Sequence, residues 1–255
     1  AAHAQSAQVF FKRGLAKVDL GDYQGAIADF TKAIAINPQD ALAYTHRGIA
    51  KKYLGDYQGA LADYNKAIEI NPQDAFTYNN RGFTKRNLGD HQGAIADYTK
   101  AIAINPQDAL AYNNRGLIKN EHLRDPQGAI ADYNKAIEIN PQLARVYSNR
   151  ALVKDKLNDY QGAISDLNKA IAINPLDTDA YKNRGHAKGK LGDYQGEIAD
   201  YNKAIAINPQ DAGAYTLRAP ARGLMRDYQG MCSDFRKGSS LGNERAVEGL
   251  NMFCK

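Results

Sequence analysis

No part of this chain holds the roughly 20 consecutive apolar residues that a membrane-spanning helix needs. Charge of one sign is never gathered into runs: 33 lysines and arginines against 28 acidic residues leave a net charge of +5, and the basic residues are spread through the whole length. That spread argues against a surface dedicated to nucleic acid, although basic and aromatic residues in a helical array keep single-stranded nucleic acid as a lesser alternative. Histidine is scarce, with His3, His46, His91, His122 and His186 far apart and no two spaced i, i+4 as metal ligands on a helix. No phosphate-cradling glycine loop or nucleophile motif is present. No enzyme activity, cofactor or metal is therefore expected.

Cysteine is limited to Cys232 and Cys254. They lie on either side of a helix break near Leu241, so antiparallel helices bring them to similar levels. They form either a disulfide or a pair of inert buried thiols. A disulfide would imply an oxidising compartment. The opening AAHAQSAQ resembles the small-residue end of an export signal. Together these lean towards a soluble protein exported to a periplasm or lumen over a cytoplasmic one.

What the chain has in plenty is periodicity. Asn-Pro occurs at Asn37, Asn71, Asn105, Asn140, Asn174 and Asn208, in steps of 34, 34, 35, 34 and 34 residues. A fixed period of that size means stacked supersecondary units that bury their apolar faces against one another. Each unit reads as two helices. In residues 41–74, Asp40 caps a first helix that stops at Gly55, and Asp56 caps a second that ends at Asn71-Pro72. Aspartate recurs at the second cap in all seven units, and the Pro126 that follows Asp125 suits a first helical position.

The aromatic at Phe10, Tyr44, Tyr78, Tyr112, Tyr147, Tyr181 and Tyr215, the small residue at Gly14, Gly48, Gly82, Gly116, Ala151, Gly185 and Ala219, and Ala26, Ala60, Ala94, Ala129 and Ala163 all share this period. With the unit-closing prolines they make the chain resemble the tetratricopeptide repeat family, in a bacterial-type form with seven repeats. The resemblance implies an all-α, right-handed superhelical solenoid of antiparallel helix pairs, with a concave face of first helices that binds proteins or peptides. The organisation expected is a tail over 1–6, repeats over 7–40, 41–74, 75–108, 109–143, 144–177, 178–211 and 212–242, and a capping helix over 243–255. Repeat 4 carries one extra residue between Lys119 and Leu123. Repeat 6 has Glu197 at a position otherwise mostly small. Repeat 7, with Pro220, Met231 and Gly238, is degenerate.

Two sets of polar residues follow the period. Arg47, Arg81 and Arg115 stand level with Asp63, Asp97 and Asp132 of the partner helix. A lysine one turn after each arginine shares its face, and each aspartate is expected to bridge onward to the next repeat, as Asp63 to Arg81 and Lys85. This is a structural ion-pair ladder. On the opposite side of the wheel, Asn80, Asn114, Asn149 and Asn183, with His46 at the same register, are followed one turn on by Ile49, Phe83, Leu117, Leu152 and His186. An amide offers donor and acceptor to a peptide main chain, and the row resembles the asparagine ladder in the repeats of O-GlcNAc transferase. The carboxylate clamp of chaperone-binding members is not matched, because Leu15, Ile49, Phe83, Leu117, Leu152, His186 and Pro220 stand where its first asparagine belongs.

The expected function is a non-catalytic scaffold that holds an extended peptide in the groove. On that face Lys12, Lys52, Arg86, Arg145, Lys156, Lys182 and Lys190 outnumber Asp19, Glu121, Asp155 and Asp179, which favours a mildly acidic partner. The alternative is a module that self-associates through its terminal repeats or convex side.

Overall fold

The computed structural model describes residues 2–122 and 124–254, with the side chains of 2–5 left aside. Among the described residues every regular element is a helix. The first helices of the seven pairs are α1 (Ala2–Asp19), α3 (Ala41–Tyr53), α5 (Ala75–Asn87), α7 (Ala109–Glu121), α9 (Ala144–Lys156), α11 (Thr178–Lys190) and α13 (Ala212–Leu224). Their partners are α2 (Tyr23–Ile36), α4 (Tyr57–Ile70), α6 (His91–Ile104), α8 (Pro126–Ile139), α10 (Tyr160–Ile173), α12 (Tyr194–Ile207) and α14 (Tyr228–Ser240), and α15 (Glu244–Phe253) closes the series. Helix α1 takes in residues 2–6, the stretch read from the sequence as a tail. The chain divides into two compact bodies, the N-terminal one ending at Gly128 and the C-terminal one starting at Ala129.

The second helices start alike because one device recurs. Asp56 accepts from the Gly59 backbone N–H at 2.8 Å, and the same bond joins Asp22 to Gly25, Asp90 to Gly93, Asp125 to Gly128, Asp159 to Gly162, Asp193 to Gly196 and Asp227 to Gly230. This satisfies an N–H that the first helical turn otherwise leaves unpaired. A Cβ on Gly59 would overlap the Asp56 carboxylate, so the recurrent Gln-Gly belongs to the cap. Most first helices are capped in the same way, as Asp40 by Ala43 N–H at 3.2 Å, but Leu143 ahead of α9 makes no such bond.

The extra residue of repeat 4 is taken up in the turn. Asp56 N–H donates to Lys51 O, five residues back, whereas Asp125 N–H donates to Lys119 O, six back. Leu123 lies outside the described residues. Arg124 adopts φ +52° where the equivalent turns have Gly55 or Gly89 at φ +81° and +82°.

In pair after pair the small residue of the first helix meets an aromatic of the second, as Gly14 with Phe30, Gly82 with Tyr98 and Gly185 with Tyr201. Gly48 lies against Tyr64, whose ring is fully buried, and a Cβ on Gly48 would stand 2.7 Å from Tyr64 Cε1. In repeat 5, Ala151 is paired with the smaller Leu167. Repeat 7 is adapted to its cap: Gly238 lies against Thr216 and Ala246, Gly249 of α15 lies against Phe235, and Cys232 is disulfide-bonded to Cys254 with 5.6 Å between Cα atoms. Helix α13 continues through Pro220 to Leu224.

In each body neighbouring first helices touch, α1 with α3, α3 with α5, α5 with α7, α9 with α11 and α11 with α13, while the second helices stand farther apart. The first helices therefore form the inner side of each body.

Candidate functional site

The arginines lie between the two helices of a pair. Arg47 Nε and Nη2 donate to the two oxygens of Asp63 at 3.0 and 2.6 Å, and Arg81 grips Asp97 at 2.8 and 2.6 Å. Arg150 with Asp166, Arg184 with Asp200 and Arg218 with Asp234 repeat the fork in the C-terminal body. The aspartates are almost wholly buried, and the guanidinium of Arg47 lies over the Tyr44 ring, 5.4 Å from its centroid. Such bidentate, charge-assisted pairs are among the stronger hydrogen bonds. Asp132 is buried like the others, and Arg115 stands over Tyr112 and donates to Thr99 at 3.1 Å.

The expected onward bridge is corrected at Asp29, Asp63, Asp97, Asp166, Asp200 and Asp234, each of which pairs with two cations of its own repeat. Asp63 takes its second cation from its own repeat, Lys51 Nζ at 2.8 Å, while Arg81 and Lys85 both pair with Asp97. The lysine stem is long enough to reach back across its own pair. One link between repeats runs through the third guanidinium nitrogen: Arg47 Nη1 donates to Thr31, Arg81 to Asn65 at 2.8 Å, Arg150 to Asn134, Arg184 to Asn168 and Arg218 to Asn202, each on the preceding second helix. All of this chemistry is spent on architecture.

The groove residues divide. Asn80 accepts from Lys52 Nζ at 3.1 Å and donates to Phe76 O at 3.0 Å, and Asn114 accepts from Asn113 at 3.2 Å. Asn149, Leu152 and Asn183 line one open cavity of about 810 Å³ in the C-terminal body, together with Arg145, Asp177 and Asp179. Phe83, Leu152 and His186 are exposed and Leu117 is half-buried. Two expected residues are not free for a ligand. Ile49 is only 9% exposed and packs on Ala60 and Tyr64. His46 sits among Phe11, Phe30 and Phe76, with ring centroids 5.5 to 6.2 Å away, and burial there lowers its pKa against the opposing pull of Asp40 and Asp74.

The charges of this face are unequally compensated. Lys182 pairs with Asp179 and Asp211, each at 2.8 Å. Lys52 is half-buried, its Nζ 5.1 Å from the ring centroids of both Tyr53 and Phe83, and desolvation lowers its pKa. Among the described residues it makes no ion pair.

Sequence reasoning passed over a second row. Leu42, Phe76 and Leu110, one turn before the His46, Asn80 and Asn114 register, are 52%, 50% and 58% exposed in the N-terminal body. Their signal was the 34-residue recurrence of a large apolar residue two places after an N-cap aspartate. Lateral bonds between neighbouring first helices were also unread: Thr45 Oγ1 to Thr77 Oγ1 at 2.6 Å, Asn79 to Asp108, and Lys182 to Asp211. His91 and His122 stack at 3.5 Å with ring planes within 10°, which aims their nitrogens in-plane and away from any one shared ion. No three His, Cys, Asp or Glu side chains converge as metal ligands among the described residues. No helix among them is long and apolar enough to cross a membrane.

Comparison with known proteins agrees with this geometry. Models described as Tetratricopeptide repeat match residues 41–74, 63–96 and 149–212, and one described as TPR repeat matches 14–53, 84–120 and 127–157. Among curated proteins none matches. Of solved structures, a tetratricopeptide repeat protein from Parabacteroides merdae is 24% identical over 98% of this chain and 100% of its own, with TM-score 0.70. MamA is 26% identical over 68% of this chain and 94% of its own, with TM-score 0.60. YrrB, described as a TPR protein with an unusual peptide-binding site, is 23% identical over 72% of this chain and 95% of its own, with TM-score 0.61.

Proposed function

The chain belongs to the tetratricopeptide repeat family, a family of protein-interaction scaffolds, and on that premise we propose that it is non-catalytic and holds an extended segment of a partner protein along its first helices. The observation that carries the reading is the exposed row Leu42, Phe76 and Leu110 running beside Asn80 and Asn114. Packed helices lie about 8–10 Å apart and a segment in the extended polyproline II form rises about 3.1 Å per residue with three residues per turn, so each repeat spans about one turn of the ligand. An apolar side chain at every third position of the segment then meets one rung of the row. Asn80, whose oxygen and nitrogen each make one bond, retains a further lone pair and N–H for the segment's main chain, and Asn114, Asn149 and Asn183 stand at the same register. Phe83, Leu117, Leu152 and His186 contact the side chains between.

Lys52 favours an acidic residue in the segment that lies on the N-terminal body. A half-buried ammonium held only by an amide and two ring faces gains from a carboxylate. The Cys232–Cys254 bond supports an oxidising compartment such as a periplasm or lumen.

The test compares partner recovery by the native chain, by a variant with Asn80, Asn114, Asn149 and Asn183 all changed to Ala, and by one with Leu42, Phe76 and Leu110 changed to Ser. Loss of the same partner from both variants, with helicity unchanged, is the expected result. Equal recovery by all three rejects the groove.

A second reading, self-association through the terminal repeats, is favoured by the exposed Met252 and Phe253 on α15, 70% and 59% exposed. A dimer in light scattering that forms without peptide affinity would select it.

A further inference from the structure

The repeat pattern breaks at a matched pair of positions in the C-terminal body. Second helices carry alanine one turn in, and Ala26, Ala60, Ala94, Ala129 and Ala163 are fully buried, but α12 carries Glu197 there. First helices present Val18, Lys52, Arg86, Asn120 or Asp155 opposite, but α11 presents Gly189, and a Cβ on Gly189 would overlap the Glu197 carboxylate; in repeat 7 Gly223 likewise faces the side chain of Met231. Space has been cleared for one half-buried carboxylate. It accepts from Tyr201 Oη–H at 3.2 Å and makes no ion pair among the described residues. Burial raises its pKa and Asp193 adds to that, against Tyr201 and the distant Lys190.

Glu197 faces a cavity of about 410 Å³. Leu217 and Pro220 of α13 and Met252 of α15 supply apolar walls, and Arg245 and Glu248 bring one charge of each sign from α15. Proline has no N–H to donate, so Pro220 leaves the Thr216 carbonyl without its intrahelical partner, and both residues line the cavity. The uncommitted polar groups this breach in the pattern creates are therefore acceptors, a carboxylate and a carbonyl beside apolar surface.

We propose that this cavity binds the side chain of a lysine in a partner polypeptide, with the ammonium between the Glu197 carboxylate and the Thr216 carbonyl and the methylene stem against Leu217, Pro220 and Met252. An ammonium brings three donors and no acceptor, and its stem covers apolar surface while the charge stays polar-bound. Arginine fits less well, because Tyr201 already occupies one Glu197 oxygen and spoils the two-pronged acceptor that a guanidinium fork uses. The inference goes beyond the amide row and does not depend on it.

The test uses the full chain with its three methionines, Met225, Met231 and Met252, labelled at the methyl carbon. Nα-acetyl-lysine methylamide is the probe and Nα-acetyl-norleucine methylamide the control with the same stem and no ammonium. The lysine compound is expected to shift the Met252 methyl saturably, the norleucine compound to bind roughly tenfold more weakly, and Glu197→Gln to lose roughly tenfold in lysine affinity with circular dichroism unchanged. Equal binding of the two compounds, equal binding by Glu197→Gln, or no Met252 shift at tens of millimolar overturns the proposal. So does a Met252 shift that follows protein concentration alone, which would place a second copy in the cavity. Peptide binding on the amide row is read separately, through the asparagine side-chain resonances, so either result stands without the other.

Discussion

Arg81 donates from Nη1 to Asn65 Oδ1 at 2.8 Å, across the boundary between two successive repeats, while its other nitrogens hold Asp97 within its own. One side chain thus closes a helix pair and sets that pair against the one before it. The two jobs are separable by mutation. Asp97→Ala strands a guanidinium and Lys85 beside a buried void and is expected to cost about 3 to 5 kcal/mol. Asn65→Ala removes a single exposed acceptor and should cost about 1 kcal/mol. Urea unfolding of both variants decides: a loss below about 0.5 kcal/mol for Asp97→Ala would mean that the pair holds nothing together.

Gly48→Ala drives a methyl into the Tyr64 ring, where a Cβ has only 2.7 Å to Cε1. Overpacking of this kind costs about 1 to 3 kcal/mol. Repeat 5 shows the remedy, with Ala151 set against Leu167. Gly48→Ala combined with Tyr64→Leu should cost less than the sum of the two single changes. Simple additivity in thermal unfolding would show that the contact is not the constraint.

Arg13 chiefly, and Lys17 after it, hold the Asp29 carboxyl down from 3.8 to about 2 against the opposing effect of burial. The folded value is depressed, so the stabilisation is complete above the unfolded value and is lost as pH falls from 3.8 towards about 2. Asp29→Asn should flatten the stability profile across that window. Native and variant chains with parallel acid limbs would exclude the linkage.

The disulfide closes a sequence separation of 22 residues, for which the loop-closure relation gives about 3 kcal/mol. Changing Cys232 and Cys254 to Ser should release α15 before anything else, since a terminal repeat leans only on its neighbour. Hydrogen exchange is expected to accelerate in α15 and α14 and to stay unchanged in α1 to α6. Protection of α15 that survives the double change would mean that Ala246 and Gly249 hold it without the bond.

The helix pairs and their caps were legible because their signals recur from repeat to repeat: an aspartate cap in all seven, an Asn-Pro stop in six, and a small residue in the first helix. The Arg47–Asp63 level was legible for the same reason, since antiparallel helices joined by a tight turn keep their registers. The second partner of Asp63 was not. Counting along backbones places Arg81 and Lys85 near it, but the reach of the Lys51 stem decides the matter. Ile49 was misplaced because a wheel sorts directions and not distances: Ala60 and Tyr64 of its own partner helix α4 lie close enough to cover it. Leu42, Phe76 and Leu110 escaped notice because a first helical turn was read only for its cap. Glu197 was visible as an irregularity, but Gly189 acquires meaning only when the two side chains face each other.

The lateral bonds of the first helices have a mechanical consequence. Thr45 to Thr77 and Lys182 to Asp211 tie first helix to first helix, in addition to the packing of a second helix on the next first helix and the arginine nitrogen that reaches back to the preceding second helix. Within each body the spacing of neighbouring first helices is then held from both sides, as rungs are held by two rails. The pitch between rungs stays fixed. A segment bound as proposed would meet a ruler, and one with a residue inserted between its anchoring side chains would lose every contact beyond the insertion.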